Sequence, residues 1–278
     1  MKRNYKKNYR CSGLSALCLS AAVAFATACG NKAGAGEPCD DPDVQRPDSS
    51  LSLLVRALAH DDARAFASIC SYPLHRNYPL KDITDSTAMV DYFHVMVDDS
   101  LRRIARDSRL DDWKYYGWRG WAFGDSTLIW YDDGIQFVEY ESVAETGLRR
   151  LLAREEIMSL PPQLRESWTP VETLVQADGD RIFRIDRDGG RFRLMCYDGP
   201  VGMRDMPSLL LTGGMDVEGT VGSRIYNFRD SAGNEVRYMP DDLPPVKIEF
   251  LAGVSDSAYT VVRAYWRDYL PSAESVHQ

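Results

Sequence analysis

The chain has 278 residues, 44% of them hydrophobic, and its 41 acidic side chains against 33 basic ones give a formal charge of −8. An acidic surface with no basic stripe repels phosphate backbones, which argues against nucleic-acid binding. There is also no G-x-S-x-G, H-E-x-x-H or EF-hand pattern to announce a nucleophile elbow, a zinc helix or a calcium loop.

Lys2, Arg3, Lys6, Lys7 and Arg10 precede an uncharged stretch, 11–28, the layout of a secretory signal. Ser12, Gly13, Ser15, Ser20 and Thr27 dilute that stretch, so a permanent transmembrane helix, which needs about 20 mostly apolar residues, is the weaker reading. Ala26-Thr27-Ala28 is an A-x-A cleavage site, and together with Cys29 it resembles the lipobox of bacterial lipoproteins, although leucine is the commoner residue at the place of Ala26. The resemblance implies a lipoprotein signal peptide over 1–28 and Cys29 as the lipidation site, carrying palmitate-type acyl chains. It also implies a protein held in the bacterial cell envelope, on the periplasmic or surface side of a membrane, by an N-terminal lipid anchor. Removing 1–28 leaves 28 basic against 41 acidic residues, a net charge of −13.

Residues 29–50 are rich in Gly, Ala, Pro, Ser and Asp and read as a flexible tether. Residues 51–278 then suffice for one large or two ordinary domains. Asp48, Ser49 and Ser50 offer an N-cap, and Leu51, Leu54, Val55, Leu58, Phe66, Ile69 and Cys70 recur at helical spacing. SYPLHRNYPLKDI, 71–83, is broken by Pro73 and Pro79 into an extended connector. Asp85 caps a second helix with Met89, Val90, Phe93, Met96 and Val97 on one face, and Leu101 and Ile104 suggest that it continues or restarts. The period then changes to 2: 113–123, 127–131 and 135–140 read as strands of an antiparallel meander joined by Gly-Asp-Ser and Asp-Asp-Gly turns. Ser142 and Glu145 form a capping box for a helix whose face is Leu148, Leu151, Leu152 and Ile157, ending before Pro161-Pro162.

The early helix pair, SYPL-HR-NYPL-KDI between its members, DDSL at 98–101 and the Trp/Gly run from Asp112 to Trp130 resemble an uncharacterised group of secreted bacterial proteins with an NTF2-like, cystatin-related domain. The resemblance covers roughly 51–160 and implies an α+β fold, helices wrapped by a curved antiparallel sheet. From about 165 the chain reads as strands only, divided by Gly, Pro, Asp and Asn, so 161–278 is expected to be a β-rich sandwich or barrel.

NTF2-like cones often hold a ligand at the open end, and some members are isomerases, dehydratases or hydrolases. On that pattern the candidate ligand pocket is Tyr72, Tyr78, His94, Trp118, Trp121 and Trp130. The same tryptophans would equally serve as the inner face of a curved sheet, bent at Gly117 and Gly120. The paired aspartates at 61–62, 98–99, 111–112 and 132–133 sit at helix ends or turns, where neighbours do not face each other. The glycines of TGGMDVEGTVGS, 212–223, precede no helix, so they are not a nucleotide loop. Cys39, Cys70 and Cys196 lack the spacing of a metal site and allow at most one internal disulfide; neither metal nor cofactor is expected. Two functions follow. One is a non-catalytic envelope lipoprotein that binds a partner protein, a glycan or a small apolar ligand, with no catalytic residue. The other is an NTF2-like isomerase or hydrolase acting on a small apolar substrate, with its base among His75, His94 and Asp98.

Overall fold

The computed structural model describes residues 45–117, 120–123, 129–177, 179, 181–198, 203–218, 222–241, 245–252, 257–265 and 268. The predicted signal peptide, nearly all of the tether, Cys29 and Trp118 lie outside them.

Leu51, Leu54 and Leu58 place one fully buried stripe along α1, Asp48–Ala59. The expected side-chain cap is absent: the helix starts at Asp48 itself, and the Pro47 carbonyl takes the Ser50 and Leu51 N–H groups at 3.0 Å. The apolar pattern runs on to Phe66, but the helix does not. Asp61 has φ 62°, and Asp62 caps a separate α2, Ala63–Ala67, by accepting from the Ala65 N–H. Asp85 caps α3, Ser86–Met96, which buries Met89, Phe93 and Met96. The chain then restarts, because Val97 is extended and Asp98 accepts from the N–H groups of Ser100 and Leu101 to open α4, Asp99–Asp107.

Four short strands follow in meander order: β1, Lys114–Tyr115; β2, Trp121–Phe123; β3, Ile129–Tyr131; β4, Ile135–Val138. The single strand expected over 113–123 is therefore two. Gly117 (φ 62°) and Gly120 (φ 80°) reverse the chain, and a Cβ on Gly120 would lie 2.5 Å from the Tyr131 carbonyl oxygen, so only glycine fits there. The helix-facing side of this sheet contributes Trp113, Phe123, Ile129, Tyr131, Ile135 and Val138 to one core with the buried faces of α1–α4.

α5, Val143–Ser159, is capped by the Ser142 hydroxyl, which accepts from the Glu145 N–H at 3.0 Å. Only half of the predicted capping box forms, since the Glu145 carboxylate turns inward. The predicted inner face is also displaced. Glu145 and Glu156 are the buried residues of α5, Leu148, Leu152 and Ile157 are half-buried, and Leu151 is 54% exposed.

The remaining strands are β5, Thr169–Gln176; β6, Ile182–Asp188; β7, Arg191–Tyr197; β8, Leu209–Glu218; β9, Ser223–Arg229; β10, Glu235–Tyr238; β11, Lys247–Ala252; and β12, Ser257–Ala264. Each pairs antiparallel with its sequence neighbours, and β12 returns to β5 from Val261↔Gln176 to Ala264↔Thr173. Of the two β-rich architectures expected, the chain forms a closed eight-stranded barrel, which leaves no sheet edge. The fold as a whole is α+β.

Alternation along the strands fills the barrel with Leu174, Phe183, Ile185, Phe192, Leu194, Leu211, Tyr226, Phe228, Val236, Tyr238, Ile248 and Phe250. Gly213 of β8 permits a close strand approach: a Cβ there would stand 1.9 Å from the Asn227 carbonyl oxygen of β9. The outer face around β6 and β7 is covered by a smaller apolar cluster in which Leu160 and Leu164, just after α5, meet Ile182, Met195 and Tyr197.

Candidate functional site

The most unusual chemistry lies where the helical half meets the barrel. The connector 71–83 is closed by the Leu74–Ile83 bridge, with N···O distances of 2.8 and 3.0 Å in the two directions, and contains cis bonds before Pro73 and Pro79. It delivers Arg76 to the first turn of α5 and Tyr78 to its last turns. Arg76 grips Glu145 with both arms of the fork, Nε to Oε1 at 2.7 Å and Nη2 to Oε2 at 2.6 Å, and also donates to the carbonyls of Val138 and Tyr140. Tyr92 of α3 donates to the same carboxylate at 3.0 Å. Both charges are out of water, with side-chain exposures of 2% and 0%.

Three turns along α5, Glu156 meets a second group. The Tyr78 hydroxyl is hydrogen-bonded with Glu156 (3.1 Å) and with Thr173 on β5 (2.8 Å). Burial raises the Tyr78 pKa well above the usual tyrosine value, and the Glu156 charge adds to the rise, so the phenol stays protonated. Arg184 on β6 lies 3.6 Å from Glu156 and donates to Asp186 at 2.8 Å; Arg193 on β7 donates to Asp186 at 2.6 Å and to the Leu164 carbonyl at 2.8 Å. Burial opposes the charge on Arg184, but Asp186 and Glu156 overcome it and hold the guanidinium protonated. The Arg193 guanidinium also sits 4.6 Å from the Trp168 ring centre, within cation–π range.

A third, half-exposed group ties the connector to the end of the barrel. His75 Nδ1 lies 2.8 Å from Asp82, Arg263 of β12 donates to Asp82 at 3.2 Å and to the Arg76 carbonyl at 3.1 Å, and Tyr265 stacks on Tyr78. Burial would raise the Asp82 pKa, but the His75 and Arg263 contacts together hold it below the usual carboxylate range. Beside these residues a cavity of about 140 Å³ is lined by Pro79, Lys81, Leu152, Glu156 and Tyr265. That is room for a few waters and well short of the roughly 300–1,000 Å³ of ligand pockets.

The residues singled out from sequence are dispersed around this seam. Tyr78 is part of it. Tyr72 donates to the Ala67 carbonyl at 2.8 Å and fixes the turn after α2. His94, with its side chain 64% exposed, stands at the end of α3, 3.6 Å from Asp61. Trp121 pairs with Tyr131 and packs toward the helices, whereas Trp130 pairs with Ala122 and points to the opposite face of the sheet, edge-on to Tyr116. Trp118 and Cys29 lie outside the described residues. Of the other proposed bases, His75 is held by Asp82. Asp98 is occupied as the cap of α4 and as acceptor of the Tyr140 hydroxyl at 2.6 Å; burial raises its pKa, but these bonds bring it below the usual range.

Sequence reasoning missed Arg76, Glu145, Glu156, Arg184, Asp186 and Arg193, because charges at alternate strand positions or along a helix read as solvent-facing until their partners are known. It also missed Glu139, whose carboxyl is pushed up to about 7 by burial, the adjacent Trp130 indole working in the opposite direction.

Among the described residues no cluster of three or more His, Cys, Asp or Glu is arranged to hold a metal, and no helix is long and apolar enough to cross a membrane. Comparison with protein-family models, curated proteins and solved structures finds no match.

Proposed function

We propose that the protein is a cell-envelope lipoprotein, anchored through Cys29, that acts by binding and not by catalysis, with an NTF2-like half over 51–160 and a β-rich half over 161–278. The observation that carries this reading is that both interiors are occupied. Side chains of α1–α4 and of the meander meet directly in the helical half, and aromatic and branched residues fill the barrel. The buried charges at the seam are ion-paired with one another, Arg76 with Glu145 and Arg184 and Arg193 with Asp186, and the approach of Glu156 to Arg184 helps to hold the halves in one arrangement. The partner is then an envelope protein or a glycan recognised on the outer surface, in preference to a small apolar ligand taken inside.

Metabolic labelling with a fatty-acid analogue tests the anchor: incorporation is expected in the wild type and lost in Cys29→Ser, and equal labelling of the variant refutes it. Turnover of a small substrate by the purified protein, abolished by a substitution at the seam or the sheet, would refute the non-catalytic part. A second reading, an NTF2-like isomerase or hydrolase, draws on one observation, the Glu139 carboxyl titrating near neutrality beside Trp130. It requires that Glu139→Gln remove a measurable activity.

A further inference from the structure

α5 leaves apolar side chains in solvent on the side opposite its buried acids. Its buried residues are acids, while Val143 is 85%, Leu151 54% and Met158 54% exposed. At 100° per residue these three fall within one quarter of the helix surface together with the exposed Gly147, with the exposed Ala144 just beyond, so they form one stripe and not scattered positions. Of the exposed charges, Arg150 borders the stripe beside Val143, Arg154 falls within it between Val143 and Gly147, and Glu155 borders the far side beyond Leu151 and Ala144. Seventeen residues of helix make it about 25 Å long.

We infer that this face of α5 lies on an anionic bilayer, with Val143, Leu151 and Met158 at the headgroup boundary and Arg150 and Arg154 against lipid phosphates. An exposed apolar stripe that carries two arginines against one glutamate has the composition of an interfacial helix. A protein of net charge −13 after loss of 1–28 is repelled by an anionic membrane in most orientations, and this stripe, with Arg150 and Arg154 against Glu155, offers a locally positive face. The inference rests on the proposed anchor for its geometry. Residues 30–47 can span about 60 Å when extended, more than the roughly 45 Å diameter of a domain of this size, so α5 can reach the surface wherever the tether leaves the fold. Tethering also keeps the local lipid concentration high, so a weak contact suffices. A second copy of the chain is a poorer occupant: a stripe about 25 by 10 Å gives roughly 500 Å² in a symmetric pair, against the 1,200 Å² or more of a stable interface.

Met158 and Met206, 54% and 57% exposed, are a matched pair of reporters. The chain from residue 29 onward, held on vesicles by an N-terminal hexahistidine and a nickel-chelating lipid, sits at a bilayer whether or not Cys29 is acylated, so failure of the anchor and failure of the contact are separable. Chloramine-T oxidation is then followed by mass spectrometry of the two methionines. On mixed phosphatidylglycerol–phosphatidylcholine vesicles, Met158 is expected to oxidise at least about threefold more slowly relative to Met206 than it does in solution. The protection is expected to disappear in Leu151→Glu and to weaken in Arg150→Gln/Arg154→Gln, in high salt and on phosphatidylcholine alone. An unchanged Met158 to Met206 ratio on the anionic vesicles overturns the inference. So does protection of Met158 that grows with protein concentration in vesicle-free solution, which assigns the stripe to a second copy.

Discussion

Glu145→Gln tests the seam most directly. The substitution preserves size and one carbonyl oxygen but removes the charge opposite Arg76, whose guanidinium remains 2% exposed and still donates to the Val138 and Tyr140 carbonyls. At about 4 Å between charge centres and an effective dielectric of about 20, the lost attraction is about 4 kcal/mol. Breaking buried pairs from one side costs about 3–5 kcal/mol, in agreement. In a chain of this size that corresponds to a fall in Tm of about 6–20 °C. Urea denaturation, followed by tryptophan fluorescence and far-ultraviolet circular dichroism, measures it, with an unchanged m-value showing that stability and not the denatured state has moved. A double-mutant cycle with Arg76→Met then isolates the pair, with an expected coupling of about 2–3 kcal/mol. A loss below about 1 kcal/mol, or a coupling indistinguishable from zero, would mean that these two side chains do not share a dry site.

Three further outcomes are expected. The Glu139 carboxyl, pushed up to about 7 from 4.5, holds an extra proton in the folded state between those values, so its contribution to stability is full below pH 4.5 and is lost as pH rises to 7. Because the group is partly solvated, Glu139→Gln should raise stability at pH 8 by only about 1–2 kcal/mol and flatten that decline; unchanged denaturation curves at pH 5 and pH 8 would exclude the shift. Burial raises the Cys70 and Cys196 thiols to about 12, so iodoacetamide at pH 8 should modify neither in the native protein and both after unfolding, as read by peptide mass; rapid native labelling would contradict their packing. Gly213→Ala should destabilise the barrel by about 3 kcal/mol or more, whereas Gly214→Ala, whose Cβ meets nothing within 4 Å, should change it by less than about 0.5 kcal/mol; equal effects would mean that β8 and β9 are spaced differently.

The barrel strands were legible because their borders are chemical. Asp188-Gly189-Gly190 between β6 and β7 admits little but a reversal, and period-2 apolar residues on either side fix the face. The helix caps at Asp85 and Ser142 were visible for the same local reason, whereas the cap at Asp98 that restarts the chain as α4 was not read. The orientation of α5 was not. Its leucines recur at helical spacing, and periodicity alone assigns them to the core, but the side that turns inward was decided by Arg76, 69 residues away from Glu145, and by Arg184 on a later strand. No window of sequence contains both members of either pair. The Trp-rich run was legible in part: the residues were read as strand formers, but Gly117 and Gly120 make a full reversal and not a bend, and the register places Trp121 and Trp130 on opposite sides of the sheet. The register thus separates Trp121 from Trp130, while Trp118 lies outside the described residues.

Every hydrogen-bonded pairing between barrel strands joins chain neighbours except the last, where β12 meets β5. A polypeptide stopped anywhere before Ser257 would therefore be an open ribbon with two bare margins, and not a slightly smaller barrel. Nor would it have the Arg263 contacts with Asp82 and the Arg76 carbonyl that bind the final strand to the connector. The closing strand thus acts as a seal that only a finished chain can apply. Until then, proteases and aggregation compete for the exposed margins, so accumulation of the folded protein should discriminate sharply between complete and incomplete copies.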